Sequence, residues 1–252
     1  MRISKQLLYG FMYLLVFSLV GLAVYRIYFY EAPTCFDNIQ NQKETAVDCG
    51  GPCVSCVIKN AQLEKNEVDI LNAGDGKITL LAKIKNPIDY SAVFEYKIDV
   101  IGFGVSLHSE IGTSSVNPNG ERYIVIPGLA LNSKDVSRVV IEVLDTKWNE
   151  KADKRLSNVK LENSGIVFTD DEIRISGMLT NNSLDLTERA RVTAILLNDE
   201  SVILSASAVD VTNIRPSGEK SFTIFFPKIS GIEFNQELIQ SAIFTEIIRQ
   251  QQ

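Results

Sequence analysis

The chain has 252 residues, a formal net charge of −6 and one histidine. That charge argues against a nucleic-acid partner, whose phosphates demand clustered Lys and Arg. Apolar residues make up 45% of the composition, with no long low-complexity tract, which indicates a folded chain of one or two domains.

Leu7 to Tyr25 is a run of nineteen residues without a charge, and roughly 20 apolar residues in a helix span a bilayer core of about 30 Å. Tyr25, Tyr28, Phe29 and Tyr30 follow where such a helix would leave the bilayer, an interface that aromatic rings with polar tips favour. Arg26 can snorkel outward from there. The α-amino group, Arg2 and Lys5 precede the run, whereas Glu31 and Asp37 come after it. The positive-inside rule then predicts a single span near residues 7–29, a cytoplasmic N-terminus and an extracytoplasmic bulk. A cleaved signal peptide is the rival reading, since Gly21-Leu22-Ala23 offers small residues at the positions a signal peptidase inspects. The run exceeds the h-region of about 7 to 15 residues, which favours the anchor. Pro33-Thr34 before Cys35 lacks the small apolar residues of a lipoprotein site.

All four cysteines, Cys35, Cys49, Cys53 and Cys56, fall in one window. On the oxidising side of a membrane an even number of closely spaced cysteines reads first as two disulfides, and sequence alone does not choose among the three pairings. The segment is too short and too polar to bury a core, so cross-links would have to hold it. Four thiolates around zinc form the second reading. Cys49-x-x-x-Cys53-x-x-Cys56 also has the cluster spacing of radical enzymes that use S-adenosylmethionine, but that chemistry needs a reducing cytosol. Between the cysteines lie Asp37, Asn38, Asn41, Glu44 and Asp48. Asp37, Asn41, Glu44 and Asp48 are candidate calcium ligands, since calcium collects six to eight oxygens. The alternative is that they form Asx turns, which the lack of a strict Asp-x-Asp-x-Asp-Gly pattern favours.

Cys35, Asp37, Asn41, Glu44, Asp48-Cys49-Gly50-Gly51, Cys53 and Cys56 together resemble the Cys-x-Asp-Gly-x-x-Asn-x-x-Glu-x-x-x-Asp-Cys-Gly-Gly-x-Cys-x-x-Cys module of extracellular bacterial and archaeal proteins. Asn38 replaces the usual Gly and tolerates the same left-handed turn. The resemblance implies a surface location and no particular activity.

The remainder reads as two copies of one unit. Lys77-Ile-Thr-Leu-Leu-Ala-Lys-Ile-Lys-Asn86-Pro matches Glu172-Ile-Arg-Ile-Ser-Gly-Met-Leu-Thr-Asn181-Asn at an offset of 95. Phe94, Tyr96, Ile98 and Val100 match Ala190, Val192, Ala194 and Leu196 at 96, Pro118, Gly120 and Glu121 match Pro216, Gly218 and Glu219 at 98, and Ser137 to Leu144 matches Ser241 to Ile248 at 104. One-directional drift is what loop insertions do to a duplicated domain. Alternation is clearest where Phe94, Tyr96, Ile98 and Val100 interleave with Glu95, Lys97 and Asp99, a half-buried strand. Further strands are predicted at Glu67 to Leu71, Lys77 to Lys85, Val105 to Ser109, Arg122 to Ile126 and Arg138 to Leu144. The second copy offers Val159 to Glu162, Glu172 to Leu179, Glu188 to Leu197, Val202 to Ala208, Ser221 to Phe226 and Ala242 to Ile248. Leu238, Ala242, Ile243, Ile247 and Ile248 also suit one helix face, and the repeat selects the strand.

The predicted fold is mainly β: an N-terminal transmembrane helix (1–30), a Cys-rich module (31–58) and two tandem immunoglobulin-like antiparallel β-sandwiches (59–148 and 158–252) joined by a linker (149–157). Ile175 to Ser183, Val192-Thr-Ala-Ile-Leu and Pro216-Ser-Gly-Glu-Lys-Ser-Phe222 are similar to FxLYD-type sandwiches and their late-embryogenesis-abundant relatives. Copy one departs, with Ala82 in place of Gly177 and Pro87 in place of Asn182. The resemblance implies modules that bind or space, and it carries over no catalytic residue.

His108 lies in a predicted strand with no Gly-x-Ser-x-Gly elbow beside it, so it reads as a half-exposed structural residue. There is no phosphate loop or dinucleotide fingerprint. Asp170-Asp171-Glu172 and the basic Lys151, Lys154 and Arg155, interrupted by Glu150 and Asp153, read as solvated turn and linker. Trp148 is expected between the two sandwiches. Two function classes follow: a non-enzymatic envelope protein that contacts a protein or glycan, needing no cofactor, or a thiol- or metal-dependent redox or metal-binding protein acting through the window from Cys35 to Cys56.

Overall fold

The computed structural model describes residues 2–28, 34–149, 158–169, 172–227 and 239–248. These fall into two compact units, Met1–Asn60 and Ala61–Gln252.

In the first unit, α1 (Arg2–Tyr28) contains the span Gln6–Tyr28, with a mean hydropathy of 2.2 and no part of it buried against protein. Leu7, Phe11, Phe17 and Ile27 all stand exposed around it. The helix is long and apolar enough to cross a bilayer. A signal sequence near an N-terminus has the same character. Phe29 and Tyr30 lie outside the described residues. After α1 comes the cysteine module, whose regular structure is a single turn, α2 (Cys56–Lys59), and one bridge between Ala46 and Cys49.

The second unit is built from antiparallel strands. Its first sandwich has β1 (Glu64–Lys65), β2 (Asp69–Asn72), β3 (Ile78–Lys85), β4 (Ser91–Gly102), β5 (Val105–Val116), β6 (Glu121–Leu129) and β7 (Arg138–Asn149). In one sheet β3 pairs with β6 on one side and with β1 and β2 on the other, while the second sheet runs β5-β4-β7. The second sandwich has β8 (Val159–Phe168), β9 (Glu172–Asn181), β10 (Thr187–Leu197), β11 (Ile203–Ile214), β12 (Glu219–Pro227) and β13 (Gln240–Ile247). Its sheets run β12-β9-β8 and β11-β10-β13.

Each sandwich has its own core. Leu80, Ala82 and Ile84 of β3 meet Phe94, Ile98 and Val100 of β4, and Ile173, Ile175 and Leu179 of β9 meet Val192, Ala194 and Leu196 of β10. A third apolar layer joins the sandwiches. Leu81 and Val125, on the opposite faces of β3 and β6, pack with Ile195 and Ala206 of β10 and β11. Tyr123 meets Phe244 at a ring distance of 4.9 Å. Because side chains alternate along a strand, β3 sends Leu80 and Ala82 into one layer and Leu81 into the next. The sheet of β3 and the sheet of β10 are therefore buried on both faces, and the second unit is a stack of four sheets.

Polar groups brace the same junction. Glu246 Oε1 accepts hydrogen bonds from Ser114 Oγ at 2.7 Å and Ser115 N at 2.8 Å. Arg122 donates through Nε to Ser115 O at 2.6 Å and through Nη1 to Thr245 O at 3.4 Å. Arg189 and Arg191 both hold Asp210, and Arg191 also meets the hydroxyl of Tyr96.

The two sandwiches repeat one polar device. Asn86 and Asn181 are fully buried, and each closes the loop after its strand. Asn86 Nδ2 donates to Tyr90 O and Asn117 O while its Oδ1 accepts from Ile88 N. Asn181 does the same with Asp185 O, Ile214 O and Ser183 N. The Pro-x-Gly segments match too. Gly120 N bonds to Asn117 O and Gly218 N to Arg215 O, with Asn119 and Ser217 both at φ 50, the third-residue conformation of a type II turn whose second residue is proline.

Several predicted strands run longer than their apolar pattern. β5 continues to Val116 through Glu110, Gly112, Thr113 and Ser114 because its register against β4 is set from the hairpin onward. The final segment is a strand and not a helix, paired with β10 from Gln240 to Ile247; Leu238 lies outside the described residues. Trp148 corrects an expectation: it packs on the core of the first sandwich. Its register partner is Ala92 of β4, itself buried in that core. Residues 150–157, with Lys151, Lys154 and Arg155, and residues Asp170 and Asp171 lie outside the described residues.

Candidate functional site

The cysteine module was the sequence's densest group of reactive and acidic side chains. Its sulfurs form two interlaced disulfides, Cys35–Cys53 and Cys49–Cys56, and the described residues include no free cysteine. The backbone reaches this pairing through a series of left-handed residues: Asn38 (φ 60), Gln42 (φ 48), Lys43 (φ 67), Asp48 (φ 54), Gly50 (φ 79) and Gly51 (φ 59). Asn38 thus takes the conformation expected at the position where glycine is usual. Gly50 and Gly51 have no substitute, since a Cβ would sit 2.3 Å from Thr45 Oγ1 at the first and 2.4 Å from Lys43 O at the second.

Asp37, Asn41, Glu44 and Asp48 converge here, and what they hold is backbone. Asp37 accepts from Thr34 N and Asn41 Nδ2 through Oδ2 and from Ile39 N through Oδ1, each at 2.9 Å. The Thr34 N–H, followed by the Asn41 amide, holds its carboxyl below the usual carboxylate range. Asp48 accepts Asn38 N at 3.0 and 3.2 Å and lies 3.5 Å from Lys59 Nζ. Glu44, 7% exposed, accepts Asn41 N and Asp48 N on Oε2 and faces Cys53 Sγ at 3.0 Å with Oε1. Five of the six carboxylate oxygens thus meet N–H donors and the sixth meets a disulfide sulfur, while Asn41 Oδ1 is buried without a partner. Calcium would have to displace these donors to collect six to eight oxygens. Zinc has no thiolate to bind, because the sulfurs of Cys35 and Cys53 that cluster with Glu44 are bonded to each other.

Glu44 also bears on redox chemistry. Reducing the Cys35–Cys53 bond through exchange requires a thiolate on one sulfur, and a carboxylate 3.0 Å from Cys53 Sγ raises the cost of that charge. The arrangement suits a structural cross-link.

His108 sits in β5, half-exposed, with Nε2 3.6 Å from Glu110 Oε2. A second concentration of functional groups lies at the β4–β5 hairpin and was not singled out in the sequence. Gly102 and Val105 are the last register pair, so Phe103 (φ 52) and Gly104 (φ 80) form a two-residue turn with both residues left-handed. Phe103 is 78% exposed. Beside it runs a groove of about 520 Å³ lined by Lys97, Asp99, Ile101, Val105, Ser106 and Arg138. Lys97 and Asp99 pair at 2.7 Å. The overlooked signal was Phe-Gly in a hairpin position where Asn-Gly is the rule.

No family model matches the chain, and no curated protein does. Among solved structures, red sea bream transglutaminase aligns at 12% identity over 76% of this chain and 31% of its own, with a TM-score of 0.25. A glycosyl hydrolase family 2 member from Bacteroides cellulosilyticus aligns at 10% identity over 66% of this chain and 26% of its own, with a TM-score of 0.27. The chain spans less than a third of the length of either.

Proposed function

We propose that this chain is a single-pass, membrane-anchored protein of the cell envelope that acts without catalysis, holding its sandwiches outside the membrane as a binding or scaffolding surface for a protein or glycan. The observation that carries this reading is the pairing of an uncovered apolar helix with a module held by two disulfides in the same unit. Disulfides persist on the oxidising side of a membrane. Arg2, Lys5 and the α-amino group before the span support a cytoplasmic N-terminus by the positive-inside rule.

The asparagine lock and the Pro-x-Gly turn, shared by both sandwiches, support one ancestral unit duplicated into tandem immunoglobulin-like domains of the FxLYD or late-embryogenesis-abundant kind. The non-enzymatic part of the reading rests on the sequence, which has one histidine and lacks the nucleophile and phosphate-binding motifs. The carboxylate against Cys53 favours this reading over a redox role for the cysteines.

Single-cysteine variants at Ser133 and Ser217, labelled in intact cells with a membrane-impermeant maleimide, test the orientation. Labelling before lysis is expected; labelling only after lysis rejects the outward arrangement. Crosslinking from the second unit in native cells, repeated after replacing the sandwiches by foreign ones on the same helix and module, tests the binding role. Partner capture that survives the replacement rejects it.

A further inference from the structure

The cysteine module turns its polarity inside out. Glu44 and Asp48 are buried and Asp37 is half-buried, whereas Phe36, Ile39, Val47, Val54 and Val57 are exposed. Phe36 reaches 88% exposure and Ile39 60%. Single exposed apolar residues on a folded domain are ordinary, but here Ile58 alone of the large aliphatic and aromatic side chains between residues 34 and 60 is partly covered. The cause is the way the module is held. Its carboxylates take the interior because they collect the N–H groups of Asn38, Asn41 and Asp48. Two disulfides fix the backbone around them, so no apolar core is needed and the apolar side chains are left on the outside.

The disulfides also bring these residues together along the backbone. The Cα atoms of Cys35 and Cys53 are 5.6 Å apart, so Phe36 and Val54, each the next residue in the chain, start from adjacent points. Asp37 Oδ1 accepts Ile39 N, which closes the turn carrying Phe36 and Ile39. The exposed charged residues of the module are Lys43 and Lys59, and none of its carboxylates is among them. Apolar groups with cationic ones and no exposed anion match the boundary between acyl chains and phosphate headgroups. Chain length points to the same occupant. α1 ends at Tyr28 and Cys35 follows seven residues later, a connection of about 25 Å when fully extended. A surface tied this closely to a span meets the bilayer at high effective concentration, so shallow insertion of a few side chains suffices. A diffusing protein partner has no such advantage.

We propose that the cysteine module docks on the lipid leaflet from which α1 emerges. Phe36, Ile39 and Val54 insert at the boundary between acyl chains and headgroups, and the ammonium groups of Lys43 and Lys59 face lipid phosphates. The proposal rests on the reading of α1 as a span and adds a second, peripheral contact with the same membrane.

The test is tryptophan fluorescence of the full chain in phosphatidylcholine vesicles, plain or with acyl chains brominated near the headgroup, since bromine quenches only indoles that enter the bilayer. Trp148, the single native tryptophan, is first removed by Trp148→Phe. In that background Leu22→Trp reports the span and Phe36→Trp the module. Both are expected to emit at shorter wavelength than a hydrated indole and to lose intensity in brominated vesicles. The loss in Phe36→Trp is expected to shrink once Ile39→Ser and Val54→Ser are added. All three module positions are exposed, and an intact mass without free thiols shows that each variant keeps its disulfides. Quenching of Leu22→Trp but not of Phe36→Trp overturns the docking and leaves the span standing. A blue-shifted Phe36→Trp that bromine does not quench assigns the surface to protein, a second copy included, and overturns it as well. Quenching that ignores the two serine substitutions means that the indole itself sought the interface, and rejects the surface. If neither variant is quenched, α1 does not span and the docking falls with the broader reading.

Discussion

Asn86 and Asn181 show how much a single buried amide fixes. Each side chain serves two carbonyls and one N–H inside the protein, at 0% exposure, so truncation removes three hydrogen bonds at once, although Asn117 O keeps Gly120 N and Asp185 O keeps Ser183 Oγ. Asn181→Ala is expected to lower stability by about 3 kcal/mol, read as a shift in the denaturant midpoint, and Asn86→Ala by a similar amount. A loss under about 1 kcal/mol would mean that the loops find other partners. Tyr96 behaves differently. Burial, opposed by the Arg191 guanidinium beside it, pushes its phenol from 10.0 up to about 12. A raised folded-state value means that the neutral phenol is favoured in the fold. Its contribution is therefore complete below pH 10 and is lost as pH rises from 10 towards 12. Thermal melts across that window should show a fall in wild type that is shallower in Tyr96→Phe.

The strands β3 and β10 decide how the two sandwiches behave together. Leu81 is 1% exposed in the layer between them, and Leu81→Ala is expected to cost about 2 to 5 kcal/mol and to split one unfolding transition into two. A single transition at unchanged midpoint would show that the sandwiches do not rely on this layer. The strand pattern was legible in the sequence where one face was wet, as along Phe94 to Val100. Where both faces were dry it still gave the strand but not its second buried face, because Ile78-Thr-Leu-Leu-Ala and Val192-Thr-Ala-Ile-Leu read as plain apolar strands, and nothing local distinguishes a second buried face from a first. The same blindness put Trp148 at the junction, since a lone aromatic residue does not show which core it packs on. In the cysteine module the spacing of Asp37, Asn41, Glu44 and Asp48 was visible, but their N–H partners were not. Backbone donors have no letter in a sequence. The left-handed conformation of Phe103 passed unnoticed because it is set by hairpin register.

At the scale of the whole molecule, the first unit has little core to lose. Two disulfides, each contributing about 2 to 4 kcal/mol, and the carboxylate bonds of Asp37, Glu44 and Asp48 take its place. Alkylation of natively isolated protein without reductant should leave the intact mass unchanged, and reduction should then expose four thiols. Four alkylated cysteines before reduction would reject the staple. The second unit stakes its stability on β13. Tyr123 finds Phe244 only when β13 has been made, and Ser114 and Ser115 wait for Glu246. Until then the first sandwich, complete in its own core, presents Leu81 and Val125 to whatever is near. A copy that lacks β13 is thus marked by a bare apolar sheet face that a finished one conceals, which gives chaperones and proteases a physical means of telling the two apart.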